Sequence, residues 1–462
     1  MKARMLSDIA RMTRGRLVGE DRTVDAIATD TRALPKGGAA LFVALKGERF
    51  DGHDHVEKAA QAGVAAALVS REVETPIAQI VVADTERALA DLAAAVHRER
   101  IEQGDALKVV AITGSNGKTS VKALTLAILE RVGKTYATPG NRNNEIGLPL
   151  AVIDAPEGLQ FAIYEMGAGK PGDIAYLTDI VRPDVSIVNN IAPGHLERMG
   201  SLLGVADTKA AIYDALPGDG VAVINADDAF APYFAERAHG RRLLRFGLES
   251  SADLTARGIQ VTADGSNFTL VAPQGEAAVS LTLPGRHNVS NALAAAALSL
   301  SVGASLEQVA QGLNAARSVA GRLVTHRLAS GAVLVDDSYN ANPGSLAAAI
   351  DTLAAGGGEA WLVLGDMREL GADAEAMHAE AGRRAKSAGI RRLLTLGPYS
   401  AAASQTFGEG ATHFETHAQM IDVLRNDLRE GVRVLVKGSR GSAMDRIVAA
   451  LVGPQEGDTH AA

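Results

Sequence analysis

The chain has 462 residues, 47% hydrophobic and 22% charged, enough to bury the cores of about three soluble domains. A formal charge of −8 and only 4% aromatic residues argue against a nucleic-acid groove or a base-stacking platform. Cysteine is absent, which excludes disulfides, thiolate metal sites and cysteine nucleophiles.

The first residues, Met1 to Arg11, interrupt their apolar positions with charge and make a poor signal peptide. The run from Ala292 to Ala304 is too short and too rich in Ala and Ser to span a bilayer. A cytoplasmic monomer with no membrane insertion and no nucleic-acid partner is therefore expected.

Residues 1–104 read as a smaller N-terminal α/β unit. Ala40–Leu45 and Ala65–Val69 are apolar enough for buried strands, with a helix from His55 to Ala62 between them. Thr85–Arg100 closes the unit as a helix, with Leu89, Leu92, Ala93 and Val96 on one face. Glu102-Gln-Gly-Asp105 breaks the pattern and marks the boundary.

Residues 105–317 alternate apolar strands with helices, the signature of a parallel sheet covered on both faces. The strands are Val109–Thr113, Gln160–Glu165, Val185–Ile191 and Val221–Asn225. Residues 253–283 alternate polar and apolar positions, which suggests an antiparallel excursion, and Asn291–Val302 is an Ala-rich closing helix. Residues 318–462 repeat the doubly wound pattern, Rossmann-like, with strands at Val333–Asp336, Ala360–Leu364, Arg392–Leu396 and Arg433–Val436. Gly356-Gly-Gly358 reads as a helix-to-strand loop.

The first strand of the central unit runs into Gly114-Ser115-Asn116-Gly117-Lys118-Thr119-Ser120, and Val121, Leu124, Ile128 and Val132 then recur at helical spacing. A glycine turn between strand and helix presents backbone N–H groups and a helix N-terminus to a phosphate. Lys118 adds a positive charge, and Thr119 or Ser120 a hydroxyl for Mg²⁺. The glycine spacing is shorter than in the usual P-loop, since Ile112 stands where that pattern needs glycine.

Ligands in open α/β sheets gather beyond the carboxyl ends of the strands, where several polar residues fall. Glu165 closes its strand and could take Mg²⁺ beside the phosphate loop. His195 follows the next strand; alone it reads more readily as a loop histidine, but with Glu165 on the same sheet edge as Lys118 it reads as a second ligand or a base. Lys209 lies on a helix, where a solvated lysine is the simple reading. Asn288 and Asn291 sit at a helix start, and capping explains one of them but not easily both. Asp336 and Asp337 close a strand in a dense polar turn.

Together these residues resemble the Mur ligase family, ATP-dependent amide-forming enzymes of peptidoglycan precursor synthesis. Thr113-Gly-Ser-Asn-Gly-Lys-Thr119 is similar to the family's nucleotide loop, with its short glycine spacing. Tyr164-Glu-Met-Gly-Ala168, Gly194-His-Leu-Glu197, His287-Asn-Val-Ser-Asn291, Gly321-Arg322 and Asp337-Ser-Tyr-Asn-Ala-Asn-Pro343 follow in the family's order. Within the family, Asn141-Arg-Asn-Asn-Glu-Ile-Gly-Leu-Pro149, Gly365-Asp-Met-Arg-Glu-Leu-Gly371 and Lys437-Gly-Ser-Arg440 resemble the members that add a dipeptide. Asp30-Thr-Arg32 and Phe42 to His53 also fit, in the domain that holds the UDP-sugar. Thr31 stands where Ser is expected, and Arg142 and Arg368 also depart from the pattern.

The resemblance implies three domains and two substrates, UDP-N-acetylmuramoyl-tripeptide and D-alanyl-D-alanine, with ATP and Mg²⁺. It implies that ATP phosphorylates the tripeptide's terminal carboxylate and that the dipeptide amine attacks the acyl phosphate. Lys118 would neutralise the transferred phosphate, and Gly114 to Ser120 would cradle it. Thr119 and Glu165 would hold one Mg²⁺, and His195 would serve a second. Lys209 matches a position that family members often carry carbamylated. Asn288 and Asn291 would meet the adenine side, with Arg322, Asp337, Tyr339 and Asn340 completing the ATP site as the C-terminal domain closes. Asp30, Thr31 and Arg32, with Asn141, Asn143 and Asn144, would contact the UDP-sugar peptide, and Asp366, Lys437 and Arg440 would place the dipeptide. Two readings compete: a ligase adding a single amino acid, as folylpolyglutamate synthetase does, or a P-loop phosphotransferase. A ligase frees phosphate only when an amine acceptor is present.

Overall fold

A computed structural model describes residues 1–35, 39–47, 50–102, 107–262 and 265–453. The expected boundary between residues 104 and 105 lies outside the described residues, as do Glu48 and Arg49 of the N-terminal motif.

The central sheet has six strands, all parallel, in the order Arg242–Phe246, Val221–Asn225, Val185–Val188, Lys108–Thr113, Phe161–Glu165, Thr135–Ala137. Its middle strands are buried along almost their whole length and mostly apolar, because helices cover both faces. One cover is the helix Arg286–Ser301, whose residues Ala292 to Leu298 are entirely buried. Alanine suits this place: it favours the helix and lets the backbone lie close to helix Lys118–Leu129. The helix starts five residues earlier than the sequence suggests, at Arg286, so Asn288 and Asn291 lie inside it and cap nothing. The third central strand stops at Val188, which frees Asn189 and Asn190 to turn toward the phosphate loop. Thr255–Val261, Ser266–Ala272 and Gly275–Leu281 form the expected antiparallel excursion, three strands in sequence order.

The C-terminal sheet also has six strands, ordered Val324–Arg327, Val333–Asp337, Val432–Lys437, Glu359–Gly365, Arg392–Leu396, Ala411–Phe414. Only the first pairing is antiparallel. The N-terminal sheet has five strands, with Arg16–Val18 antiparallel at one edge. The fold is thus α/β in three domains, with the helix Thr85–Glu102 lying against the central domain. Buried Arg100 on this helix donates to the carbonyls of Val152 and Ala155 at 2.6 and 2.5 Å, and His97 bonds the Val181 carbonyl at 2.9 Å. A single apolar cluster runs from Leu6 through this junction to Ala238. No helix among the described residues is long and apolar enough to cross a membrane.

Candidate active site

The turn after strand Lys108–Thr113 is held from the neighbouring strand. The Asn116 N–H donates to Asn190 Oδ1 at 2.8 Å, Asn189 Nδ2 donates to the Asn116 carbonyl at 3.0 Å, and Ser115 N donates to the Asn190 carbonyl at 2.9 Å. Gly117 has φ +79° and leads directly into the helix, whose N-terminus no side chain caps. Its free N–H groups and the helix dipole therefore face the cavity, as an anion requires. A Cβ at Gly117 would lie 2.4 Å from Asn291 Oδ1 and 2.5 Å from Asn189 Nδ2. Gly117→Ala is expected to cost about 2 kcal/mol or more, from the left-handed φ and the displaced asparagines. Urea unfolding and an ATP titration check this: stability and nucleotide affinity should fall together.

Lys118 Nζ folds back on its own loop, donating to the Gly114 carbonyl at 2.7 Å. It keeps some surface open to the cavity yet is ringed by protein, and that desolvation lowers its pKa against the pull of Glu165. Buried Glu165 accepts from Asn143 Nδ2 at 2.8 Å and from Thr119 Oγ1 at 3.3 Å, both through Oε1. Lys122 Nζ forms a buried ion pair with Oε2 at 3.0 Å. Burial pushes the Glu165 carboxyl up, and Lys122 and Lys118 more than reverse it, holding it below the usual range.

Lys122 is absent from the sequence reading because a lysine in a helix ordinarily signals solvent. Here it is 6% exposed and also donates to the carbonyls of Thr138 and Gly140. Lys122→Met would strand a buried carboxylate, at about 3 kcal/mol. Glu165 has a depressed folded pKa, so its stabilising contribution is present above the ordinary carboxylate value and fades in acid. Urea unfolding at two pH values should show a large deficit at pH 8 that narrows toward pH 4.

Two cavities meet at this loop. The first, about 420 Å³, is lined by Ser115 to Ser120, by Asn288 and Asn291, and by Arg322, Asp337, Asn340 and Lys437 of the C-terminal domain. Asn291 receives Asn189 Nδ2 at 3.1 Å and donates to Asn288 Oδ1 at 3.2 Å. The structure also brings His287 to this wall, a residue not singled out from the sequence, and desolvation lowers its pKa. The second cavity, about 480 Å³, is lined by Gly114, Asn143, Asn144, Glu165, His195 and Lys209, and by Tyr339 and Arg440. Lys118, Arg322 and Asn340 face both. The domains touch at this seam: Asn342 Nδ2 donates to Asn116 Oδ1 at 2.7 Å, and Arg322 Nη2 lies 3.4 Å from Thr119 Oγ1.

His195 has φ +53°, and its Nδ1 lies 2.5 Å from Glu369 Oε2 of the C-terminal domain. Burial lowers its pKa, opposed by Glu369 and reinforced by Lys209 and Lys118. Lys209 is 3% exposed, and desolvation with Lys118 nearby brings its amine down to about 7. The solvated-lysine reading is corrected here.

Other candidates lie elsewhere. Lys437 is buried beside Asp337, Nζ to Oδ2 2.5 Å, and donates to the Asn340 carbonyl at 2.9 Å. It lines the first cavity and not the second. Asp366 is 4% exposed, accepts from Ser400 N at 2.8 Å and lines neither cavity, a structural carboxylate at a strand end. Asn141 is exposed and lines neither. Asp30, Thr31 and Arg32 lie apart from both, with Arg32 paired to Asp30 at 2.6 Å and that carboxyl lowered to about 2. No cluster of three or more His, Asp or Glu side chains suited to a metal ion occurs among the described residues. The adjacent oxygen donors of Thr119 and Glu165 nevertheless suit a hard cation that also binds phosphate.

A phosphate loop, a second cavity sharing its lysine, and a C-terminal domain that lines both place a phosphate-handling site on the seam between two domains. The sequence matches the Mur ligase family, catalytic domain over residues 23–112, the Mur ligase middle domain over 112–299, and the Mur ligase, glutamate ligase domain over 321–440. This chain belongs to the Mur ligase family. It is 45% identical to the UDP-N-acetylmuramoyl-tripeptide–D-alanyl-D-alanine ligase of Escherichia coli K12, over 96% of this chain and 98% of that protein. It superposes on the crystal structure of MurF from Acinetobacter baumannii with a TM-score of 0.91 at 34% identity, covering 98% and 99% of the two chains. MurF ligase from Thermotoga maritima, solved in complex with ADP, gives 0.82 at 26% identity over 92% and 96%.

Proposed function

We propose that this protein is an ATP-dependent ligase that joins D-alanyl-D-alanine to UDP-N-acetylmuramoyl-tripeptide, releasing ADP and phosphate, in peptidoglycan precursor synthesis. The observation that carries this reading is the pair of cavities joined at Lys118 and Arg322. Phosphate can pass from a nucleotide in one to a carboxylate in the other without leaving protein cations. We assign residues 1–104 to the UDP-sugar, 105–317 to ATP, and 318–462 to completing the ATP and dipeptide sites.

In the first cavity, the turn Gly114 to Ser120 cradles the phosphates. Asn288 and Asn291 form the adenine side, and Asp337, held by Lys437, faces the ribose. Asn143 and Asn144 and, further out, Asp30, Thr31, Arg32 and Asn141 are the residues we assign to the UDP-sugar peptide. A carboxylate oxygen of the tripeptide attacks the γ-phosphorus, and the bond to the bridging oxygen breaks toward ADP. Lys118 and Arg322 balance the charge that gathers there. The dipeptide amine then attacks the carbonyl carbon, loses a proton, and phosphate departs with the C–O electron pair. His195, whose pKa burial lowers, suits a proton acceptor or a metal ligand. Thr119 and Glu165 would hold Mg²⁺ on the nucleotide, with His195 and a carbamate on Lys209 serving a second; bound, these ions supply charge neutralisation between carboxylate and phosphate. Tyr339 stacks with the Arg322 guanidinium 4.3 Å from its ring centroid and carries that cation's orientation.

Nucleotide substrates place this work in the cytoplasm, and a monomer suffices because one chain lines both cavities. Phosphate release from ATP with the UDP-tripeptide, with and without acceptors, tests the reading. Turnover should require D-alanyl-D-alanine and fail with free D-alanine, lysine or diaminopimelate. Release without an amine would indicate a phosphotransferase or ATPase instead, and release with a single amino acid would move the chain to another branch of the family.

A further inference from the structure

The second cavity carries two cations with no job in phosphate transfer. Arg368 and Arg440 are exposed on its C-terminal wall, and neither has a carboxylate partner among the described residues. Arg368 is not loose. Its backbone N–H donates to Ser439 Oγ at 2.9 Å, and its guanidinium lies on the α-carbon of Gly441, where a Cβ would approach Nη1 to 2.8 Å. That places it against the turn Arg440–Ser442. Arg440 in turn stacks over Tyr339, 5.5 Å from the ring centroid, while Arg322 stacks on the same ring at 4.3 Å. The two distances put the Arg322 and Arg440 guanidinium carbons at most about 10 Å apart. Arg322 marks the phosphate end, through Thr119. Two residues of extended chain span about 7 Å, a length that fits within this separation.

We infer that Arg368, together with Arg440, binds the free carboxylate of the incoming dipeptide and so selects an acceptor of this length and charge. This rests on the ligase reading above. Planar guanidinium donors match a carboxylate, and their charge is wasted on an amide. Glu369, next in the chain, lines the same cavity but is paired with His195 Nδ1 at 2.5 Å rather than with either arginine.

The test compares D-alanyl-D-alanine with D-alanyl-D-alaninamide in the wild type, Arg368→Gln and Gly441→Ala. The wild type should use the acid at least tenfold better than the amide in kcat/KM. Arg368→Gln should raise the KM for the acid about 10- to 100-fold, leave the KM values for ATP and UDP-tripeptide within about twofold, and handle the amide as the wild type does. Gly441→Ala, whose methyl would press first on the Arg368 guanidinium, should reproduce a weaker form of this change with an unaltered melting temperature. Equal losses for acid and amide would overturn the inference, as would a rise confined to the UDP-tripeptide KM, which would assign Arg368 to a peptide carboxylate instead. A wild type that turns over without any dipeptide would overturn the ligase reading itself, a separate result.

Discussion

Lys118→Met should lower kcat about 10³-fold while the protein melts no lower than the wild type. The γ-phosphate and the attacking carboxylate are both anions, so bringing them together needs fixed positive charge. A cation at about 4 Å in a site of intermediate dielectric contributes roughly 4 kcal/mol, which corresponds to about 10³ in rate. The protein already carries the cost of this arrangement: desolvation lowers the Lys118 pKa, and Arg322 adds to that while Glu165 opposes it. Methionine removes the desolvated charge and with it that cost, so folding does not suffer. Steady-state phosphate release with a melting curve checks both halves. A loss under tenfold would mean that Arg322 alone neutralises the transferred group.

The second large effect concerns Lys209. Its amine, buried and down to about 7, is largely neutral at pH 8 and so nucleophilic toward CO₂. A carbamate there would supply the second cavity with a carboxylate that the sequence does not encode. Activity should drop about 100-fold in CO₂-depleted buffer and return with bicarbonate, and ¹³C-bicarbonate should give a carbamate resonance absent from Lys209→Met. That variant should be as inactive as the depleted enzyme but more stable. The folded state gives up this proton near pH 7 and the unfolded state near 10.5. Wild-type stability therefore rises with pH across that interval, and the burden is complete only below it. In CO₂-depleted buffer the methionine variant should gain up to about 5 kcal/mol at pH 6, a gain that disappears by pH 10.5. Activity insensitive to CO₂ would show that Lys209 works as a plain amine.

Much of this site is legible in the sequence because its residues occupy strand ends with recognisable chemistry. The glycine turn before Lys118 and the carboxylate closing the strand at Glu165 are local signals, and the fold places them side by side. The Ala-rich helix is likewise visible, although its start is not: Gly285 begins it without a capping side chain. What escapes the sequence is pairing over distance. Lys437 is buried on Asp337, one hundred residues away, and nothing local distinguishes it from a surface lysine. Lys122 is hidden for the same reason, and Asp366 misleads because its strand end turns inward to Ser400. The edge strands Thr135–Ala137 and Arg242–Phe246 are missed since one has three residues and the other carries arginines at both ends of its apolar pair.

The central claim is that phosphate passes through the tripeptide carboxylate on its way to solution. UDP-N-acetylmuramoyl-tripeptide labelled with ¹⁸O in its terminal carboxylate, incubated with ATP, Mg²⁺ and D-alanyl-D-alanine, reads this directly. One ¹⁸O should appear in each phosphate released, matched one for one by the pentapeptide product in the mass spectrum. Unlabelled phosphate, or label transfer without formation of the amide, would contradict the account.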